Sequence, residues 1–164
     1  MEAVRPATAG DLARCDELAA IARVEGAGRR GGDLLVDLGT WLGAPPGTPG
    51  GGAALGAWVA GAPDRTVLVG LFEGAVVGAA AGEVLRTAGS ADRRLGRVVW
   101  CYVEPDARQV GTGSALVEHL LEWFAAQGCT DVDAPALPGD RATKQLYEHA
   151  GFKARLLVLH RAMG

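Results

Sequence analysis

Arg108, Gly111, Gly113 and Ser114 lie within seven residues and have the types and spacing to hold an anion. They follow an apolar run, V-V-W-C-Y-V (Val98–Val103), and a break, E-P-D-A (Glu104–Ala107). They lead into a helix-patterned segment, Ser114–Gln127. A strand, a glycine turn and a helix in that order aim unpaired backbone N–H groups and the positive end of the helix at the turn, which suits a phosphate. The small glycines let the amides of Val110, Gly111, Thr112, Gly113 and Ser114 come close, and Arg108 can add a charge-assisted hydrogen bond.

Two common phosphate turns do not fit. A P-loop needs Lys and then Ser or Thr after its last glycine, whereas Ser114 and Ala115 follow Gly113. A dinucleotide fingerprint needs a third glycine where Leu116 stands, and it opens a parallel sheet, whereas here strand patterns in meander order come first. A lone G-x-G is also compatible with a plain strand-to-helix turn. Other reactive side chains are sparse. Cys15, Cys101 and Cys129 have no metal-ligand spacing, and Cys101 sits in an apolar strand pattern as a buried thiol would. His119 falls mid-helix, four residues before Trp123, and reads as a surface residue, as do His149 and His160. No metal is expected.

The surrounding elements must position the turn. Glu2–Thr8 reads as a short strand, with Thr8 and Asp11 capping a helix from Asp11 to about Val24 that places Leu12, Cys15, Leu18, Ala19 and Ala22 on one face. A Gly/Arg-rich break (Gly26–Gly32) precedes a short helix over Asp33–Leu42. Ala44–Gly52, with three prolines and four glycines, is a flexible surface loop and a candidate lid. Ala53–Ala60 reads as another short helix. Thr66–Phe72 and Ala75–Leu85 flank Glu73-Gly74, a two-residue hairpin turn, and with Val98–Val103 make an antiparallel meander. Thr130–Ala134 should run parallel to the last of these by the crossover rule. Pro138–Phe152 is a helix closed by Gly151, and Lys153–Arg161 reads as a closing strand. Residues 1–164 therefore make one mixed α/β domain.

Composition narrows the partners. A net charge of −3 over 164 residues speaks against nucleic acid, which calls for a basic excess. Fourteen of the sixteen basic residues are Arg, which reads as compositional bias. No signal peptide stands near Met1 and no apolar run spans a membrane. Three unspaced cysteines fit a reducing, cytoplasmic setting.

Val103–Leu116 (V-E-P-D-A-R-Q-V-G-T-G-S-A-L) resembles the signature of the GNAT superfamily of N-acetyltransferases: Arg or Gln, two residues, Gly, any residue, then Gly or Ala. Arg108, Gly111 and Gly113 fill it, while Gln109 stands where the family often has a further glycine. Asp140–Phe152 is similar to a second family segment that runs from Asn to Tyr and ends in Gly-Phe. Tyr147, Gly151 and Phe152 match it; Asp140 replaces the Asn and Thr143 the usual Ala. The likeness covers roughly Arg65 onward. It implies a central mixed sheet, with an antiparallel meander followed by a splayed parallel pair and helices on the flanks. It further implies acetyl-CoA as acyl donor, with its pyrophosphate on residues 108–114 and its pantetheine arm along the backbone of Cys101, Tyr102 and Val103. Asp140 is counted with the cofactor-binding group.

On the same resemblance Tyr147 is the general acid that protonates the leaving thiolate; a packing role is the alternative. The amine acceptor must lose a proton, and Arg97 to Tyr102 offers no base. Glu83 and Glu104 are the nearest carboxylates and the candidates. The expected activity is acetyl transfer to a primary amine of a small molecule or protein by direct attack. A non-catalytic acyl-CoA-binding or regulatory module of the same fold is the rival reading. A homodimer is open on the resemblance, though the chain shows no seam.

Overall fold

The computed structural model describes residues 2–29, 55–86, 93–108, 110–157, 159, 161 and 163. The helix expected over residues 33–42 and the Pro/Gly loop at 44–52 lie outside them. Five strands form one sheet in the order β1 (Glu2–Pro6), β2 (Arg65–Phe72), β3 (Ala75–Arg86), β4 (Arg94–Val103) and β5 (Asp131–Asp133). Neighbours from β1 to β4 pair antiparallel, and β4–β5 pair parallel. Helices α1 (Leu12–Ala27) and α2 (Leu55–Val59) cover one face; α3 (Thr112–Ala126) and α4 (Arg141–His149) lie with the core on the other.

Local chemistry explains the element ends. Glu73 and Gly74 both take positive φ, 49° and 84°, as a two-residue turn matched to strand twist requires. Asp11 accepts hydrogen bonds from the Thr8 backbone N–H (2.7 Å) and hydroxyl (2.6 Å), and Arg5 grips the same carboxylate at 2.7 and 3.1 Å. A 3₁₀ turn over Ala9–Asp11 then feeds α1, whose Cys15, Leu18 and Ala19 are buried as their spacing anticipates. That helix runs past Val24 to Ala27, because a single glycine at 26 costs only about 1 kcal/mol in a helix interior.

One bulge sets the side-chain directions of β4. Gly82 pairs with Val98, but Ala81 pairs with Trp100, so Val99 is the extra residue. Val98 packs with the α3 side; after the bulge it is Cys101 and Val103 that do so. Val99, Trp100 and Tyr102 turn to the α1 side. A strict alternation would have put Cys101 and Tyr102 each on the opposite face.

Lys153–Arg161, expected to be the closing strand, departs from that expectation in its described residues. The described residues there carry no strand, and Leu156, Leu157 and Leu159 are exposed. Their β propensity reflects fit to a half-buried pleated surface, and no described neighbour supplies one. In contrast, the parallel pair β4–β5 and the meander are as expected from the crossover rule and the hairpin turn.

Phe124 of α3, fully buried, sits on a floor made by glycines of two adjacent strands. A Cβ at Gly96 would lie 2.7 Å from its ring, and one at Gly82 2.8 Å. Gly96→Ala is therefore expected to destabilise by about 1–3 kcal/mol through overpacking. Denaturant unfolding should show this, with Gly96→Ala/Phe124→Leu recovering part of the loss.

Candidate active site

The bulge and the short β5 together open the site. β5 pairs with β4 only at Leu95, Gly96 and Arg97. Past Arg97 the two strands part, and among the described residues no strand pairs with the β4 backbone at 99–103 on that side. Backbone N–H and C=O groups along such an edge need hydrogen bonds from something. A cavity of about 270 Å³ lies there, lined by Val99–Val103 of β4, Gly111, Gly113 and Ser114 at the start of α3, Leu137 before α4, Tyr147 of α4, Glu25 of α1 and Arg29 just beyond that helix.

The phosphate-type turn forms one end of this cavity. Gly111 caps α3 at φ 93°, a conformation L side chains rarely adopt, and no side chain caps the helix there. The first N–H groups of a 15-residue helix are thus left for another acceptor, with the helix dipole behind them. Gly113 and Ser114 line the cavity, and a Cβ at Gly113 would already touch Leu146 at 3.6 Å. Thr112 is buried, with its methyl against Gly70 and its hydroxyl unpartnered, so its part in the turn is through backbone. Val110 is exposed, and Gln109 lies outside the described residues. A pyrophosphate and an extended amide-bearing arm are what the uncapped turn and the unpaired β4 edge fit.

Arg108 is built into the site. Its Nε donates to the Val103 carbonyl (2.8 Å), its guanidinium covers the Tyr102 ring at 5.3 Å, and a terminal nitrogen donates to Glu25 Oε2 (2.8 Å). The other Glu25 oxygen accepts from the Tyr102 hydroxyl at 2.6 Å. Those bonds hold the Glu25 carboxyl below the usual carboxylate range, Tyr102 first and Arg108 second. Burial, helped by that carboxylate, pushes the Tyr102 hydroxyl up to about 12.

Tyr147 lies on the other side of the sheet plane. It is buried within the α3-side core, tilted against Phe152 at 5.4 Å, and lines the cavity. Burial raises its hydroxyl well above the ordinary tyrosine value, so the group stays protonated. Cys101, also lining the cavity, is pushed up to about 12 by burial and stays a thiol.

Asp140 caps α4, accepting from the Thr143 backbone N–H (3.1 Å) and hydroxyl (2.7 Å), and pairs with Arg29. The two departures from the family segment are therefore each other's partners. The base candidates stand elsewhere. Glu83 of β3 is buried, bonded by Arg97 Nε at 2.8 Å and approached by Arg65 at 3.8 Å. Glu104 accepts from Arg14 at 2.6 Å. Neither is among the residues lining the cavity.

Glu25, Arg29 and Trp100 were not singled out by sequence. A signal existed for the first two: Leu18, Ala22, Glu25 and Arg29 are spaced 4, 3 and 4, so two charges continue an apolar helix face. Gly26 hid it by reading as a helix stop.

A five-stranded mixed sheet whose parallel pair splays beside a glycine turn defines an acetyltransferase-type fold. The model of the Acetyltransferase (GNAT) family matches residues 40–152, and the chain belongs to that family. Solved structures agree on the fold. A Trypanosoma brucei acetyltransferase is similar over 99% of this chain and 100% of its own, with 22% identity and a TM-score of 0.66. AAC(6')-Iy, in complex with a bisubstrate analogue of CoA and acetylneamine, matches over 100% and 99%, with 15% identity and a TM-score of 0.67. An aminoglycoside acetyltransferase from an uncultured soil metagenomic sample matches over 99% and 95%, with 16% identity and a TM-score of 0.65. No curated protein matches the chain by sequence. Among the described residues, no helix is long and apolar enough to cross a membrane, and no His/Cys/Asp/Glu group is placed to hold a metal ion.

Two outcomes test the site. Glu83→Gln should lower the unfolding free energy by about 1–3 kcal/mol, because it takes the charge from a buried carboxylate that Arg97 grips and Arg65 approaches. Tyr102 and Tyr147 are the only tyrosines in the chain. A phenolate absorbance titration of the folded protein should therefore stay flat through pH 10, the unperturbed tyrosine value.

Proposed function

We propose that the protein is an acetyl-CoA-dependent N-acetyltransferase acting on a primary amine of a small molecule or protein. The observation that carries this reading is the gap between β4 and β5. It has an uncapped helix N-terminus at one end and a buried, protonated tyrosine at its side. Residues 110–114 receive the pyrophosphate by backbone and Arg108 by charge. The open edge of β4 at 101–103, where Arg108 already meets the Val103 carbonyl, takes the pantetheine amides as a strand would, and Asp140 holds the α4 start beside them.

In the transfer, the amine nitrogen attacks the thioester carbonyl carbon. The C–N bond forms, the C–S bond breaks, and the sulfur leaves as thiolate. Tyr147 gives its hydroxyl proton to that sulfur, and the proton shed by the amine passes to water and restores the tyrosine. Glu83 and Glu104 take no part, since each is held by an arginine away from the cavity. The aminoglycoside enzymes among the similar structures support a polar, amine-bearing acceptor. A cytoplasmic setting suits three free cysteines.

Calorimetry should show one acetyl-CoA bound per chain. Tyr147→Phe should lower turnover about 100-fold, measured as free thiol released with a panel of primary amines, while leaving acetyl-CoA affinity within about twofold. Absence of acetyl-CoA binding would overturn the reading, and unchanged turnover would leave Tyr147 with packing alone.

A further inference from the structure

The carboxylate of Glu25 projects from α1 into the cavity and meets Arg108, the cation that lines this cavity with Gly111, Gly113 and Ser114. An internal carboxylate therefore stands on the group that a phosphate would seek. The contact is built to be exchanged. Arg108 keeps its Nε on the Val103 carbonyl and its plane over Tyr102, so only its outer edge is committed to Glu25. Both partners of the ion pair remain about one-third exposed, 36% for Arg108 and 31% for Glu25, which leaves the pair weak enough to break. A pyrophosphate brings more charge than a carboxylate and gains the helix N-terminus as well.

The second partner of Glu25 does not depend on Arg108. The Tyr102 hydroxyl keeps hold of Oε1, so the carboxylate stays in the cavity when the arginine turns away. Arg29, two residues beyond the end of α1, is committed to Asp140. Glu25 is then a carboxylate held by the Tyr102 hydroxyl and short of one cation. It stands on the α1 side of the sheet with Tyr102, opposite Tyr147 on the α3 side. An amine arriving at this side meets a counter-charge, and the departing sulfur meets a proton donor on the other.

We propose that Glu25 exchanges partners during the reaction: it holds Arg108 before the donor binds, gives it up to the donor's pyrophosphate, and then receives the ammonium of the acceptor, which releases one proton to water before its nitrogen attacks. Glu25 is thus an acceptor-binding residue whose availability depends on the donor. It makes the two substrates bind in order and favours cationic acceptors. By linkage, donor and acceptor should strengthen each other's binding. This rests on the acetyltransferase reading above.

The test compares wild type, Glu25→Gln and Glu25→Asp. Calorimetry with CoA and with pantetheine, which lacks the pyrophosphate, reads the first half of the exchange. Thiol release from acetyl-CoA with a panel of primary amines reads the second. Glu25→Gln should bind CoA about two- to fivefold tighter, because the internal competitor is gone, and pantetheine unchanged. Its KM for the amines that wild type turns over should rise about tenfold, with kcat little altered. Glu25→Asp, which keeps the charge, should recover part of that KM. A merely structural role would weaken CoA and amine together. CoA binding that is unchanged or weaker in Glu25→Gln, or an unchanged amine KM, would overturn the exchange alone. A wild type that binds no CoA or acetylates no amine would overturn the underlying reading too.

Discussion

A peptide backbone leaving its sheet must find hydrogen bonds elsewhere, and that constraint shapes this molecule at β4. The strand has a partner on both sides only as far as Arg97, since β5 is three residues long. Immediately afterwards Val99 is inserted as a bulge, which bends and twists the strand. The unpaired edge at 99–103 is tolerable because it faces a cavity rather than apolar core. A ligand rich in amides can complete it. The same bulge turns Tyr102 towards α1 and Cys101 towards α3, so one irregular residue opens the cleft and assigns side chains to its two walls.

The rest of the fold supports that edge. Phe124 on α3 locks onto Gly82 and Gly96, whose missing side chains bring helix and sheet close together. This fixes the N-terminus of α3 in line with the end of β4, where Gly111 makes the turn with positive φ. On the opposite face, Glu83 between Arg97 and Arg65 ties β2, β3 and β4 together through a buried charge pair. Such pairs contribute little net stability but are costly to break singly. They therefore hold register more than they add energy.

Charge in the cleft is arranged in pairs that bridge elements: Glu25 with Arg108, and Arg29 with Asp140. Both link the end of α1 to the far wall. Their partial exposure means that ionic ligands compete with them on nearly equal terms. The Glu25 carboxylate and the Tyr102 hydroxyl perturb each other in opposite directions, because one hydrogen bond favours the ionised acid and the protonated phenol alike.

Local rules made much of this legible. The hairpin at Glu73-Gly74, the capped start of α1, the glycine turn before α3 and the parallel placement of β5 follow from turn geometry, capping chemistry and connection handedness. The R-x-x-G-x-G and Tyr-x-x-x-Gly-Phe segments placed the chain in its family because their residues meet backbone requirements that few others meet. What local pattern could not supply was pairing between distant segments. The apolar run after Lys153 has strand propensity, but a strand exists only where a neighbour offers a ladder. Glu83 is a candidate base by sequence, and only the register puts Arg97 opposite it. Glu25 was hidden beside a glycine until α1 was seen to continue past it and reach Tyr102, 77 residues away. The sequence by itself determined the turn chemistry and the family. Only the tertiary structure decided which charges face the cleft, because a residue's partners are set by register, bulge and helix length, none of which a local window contains.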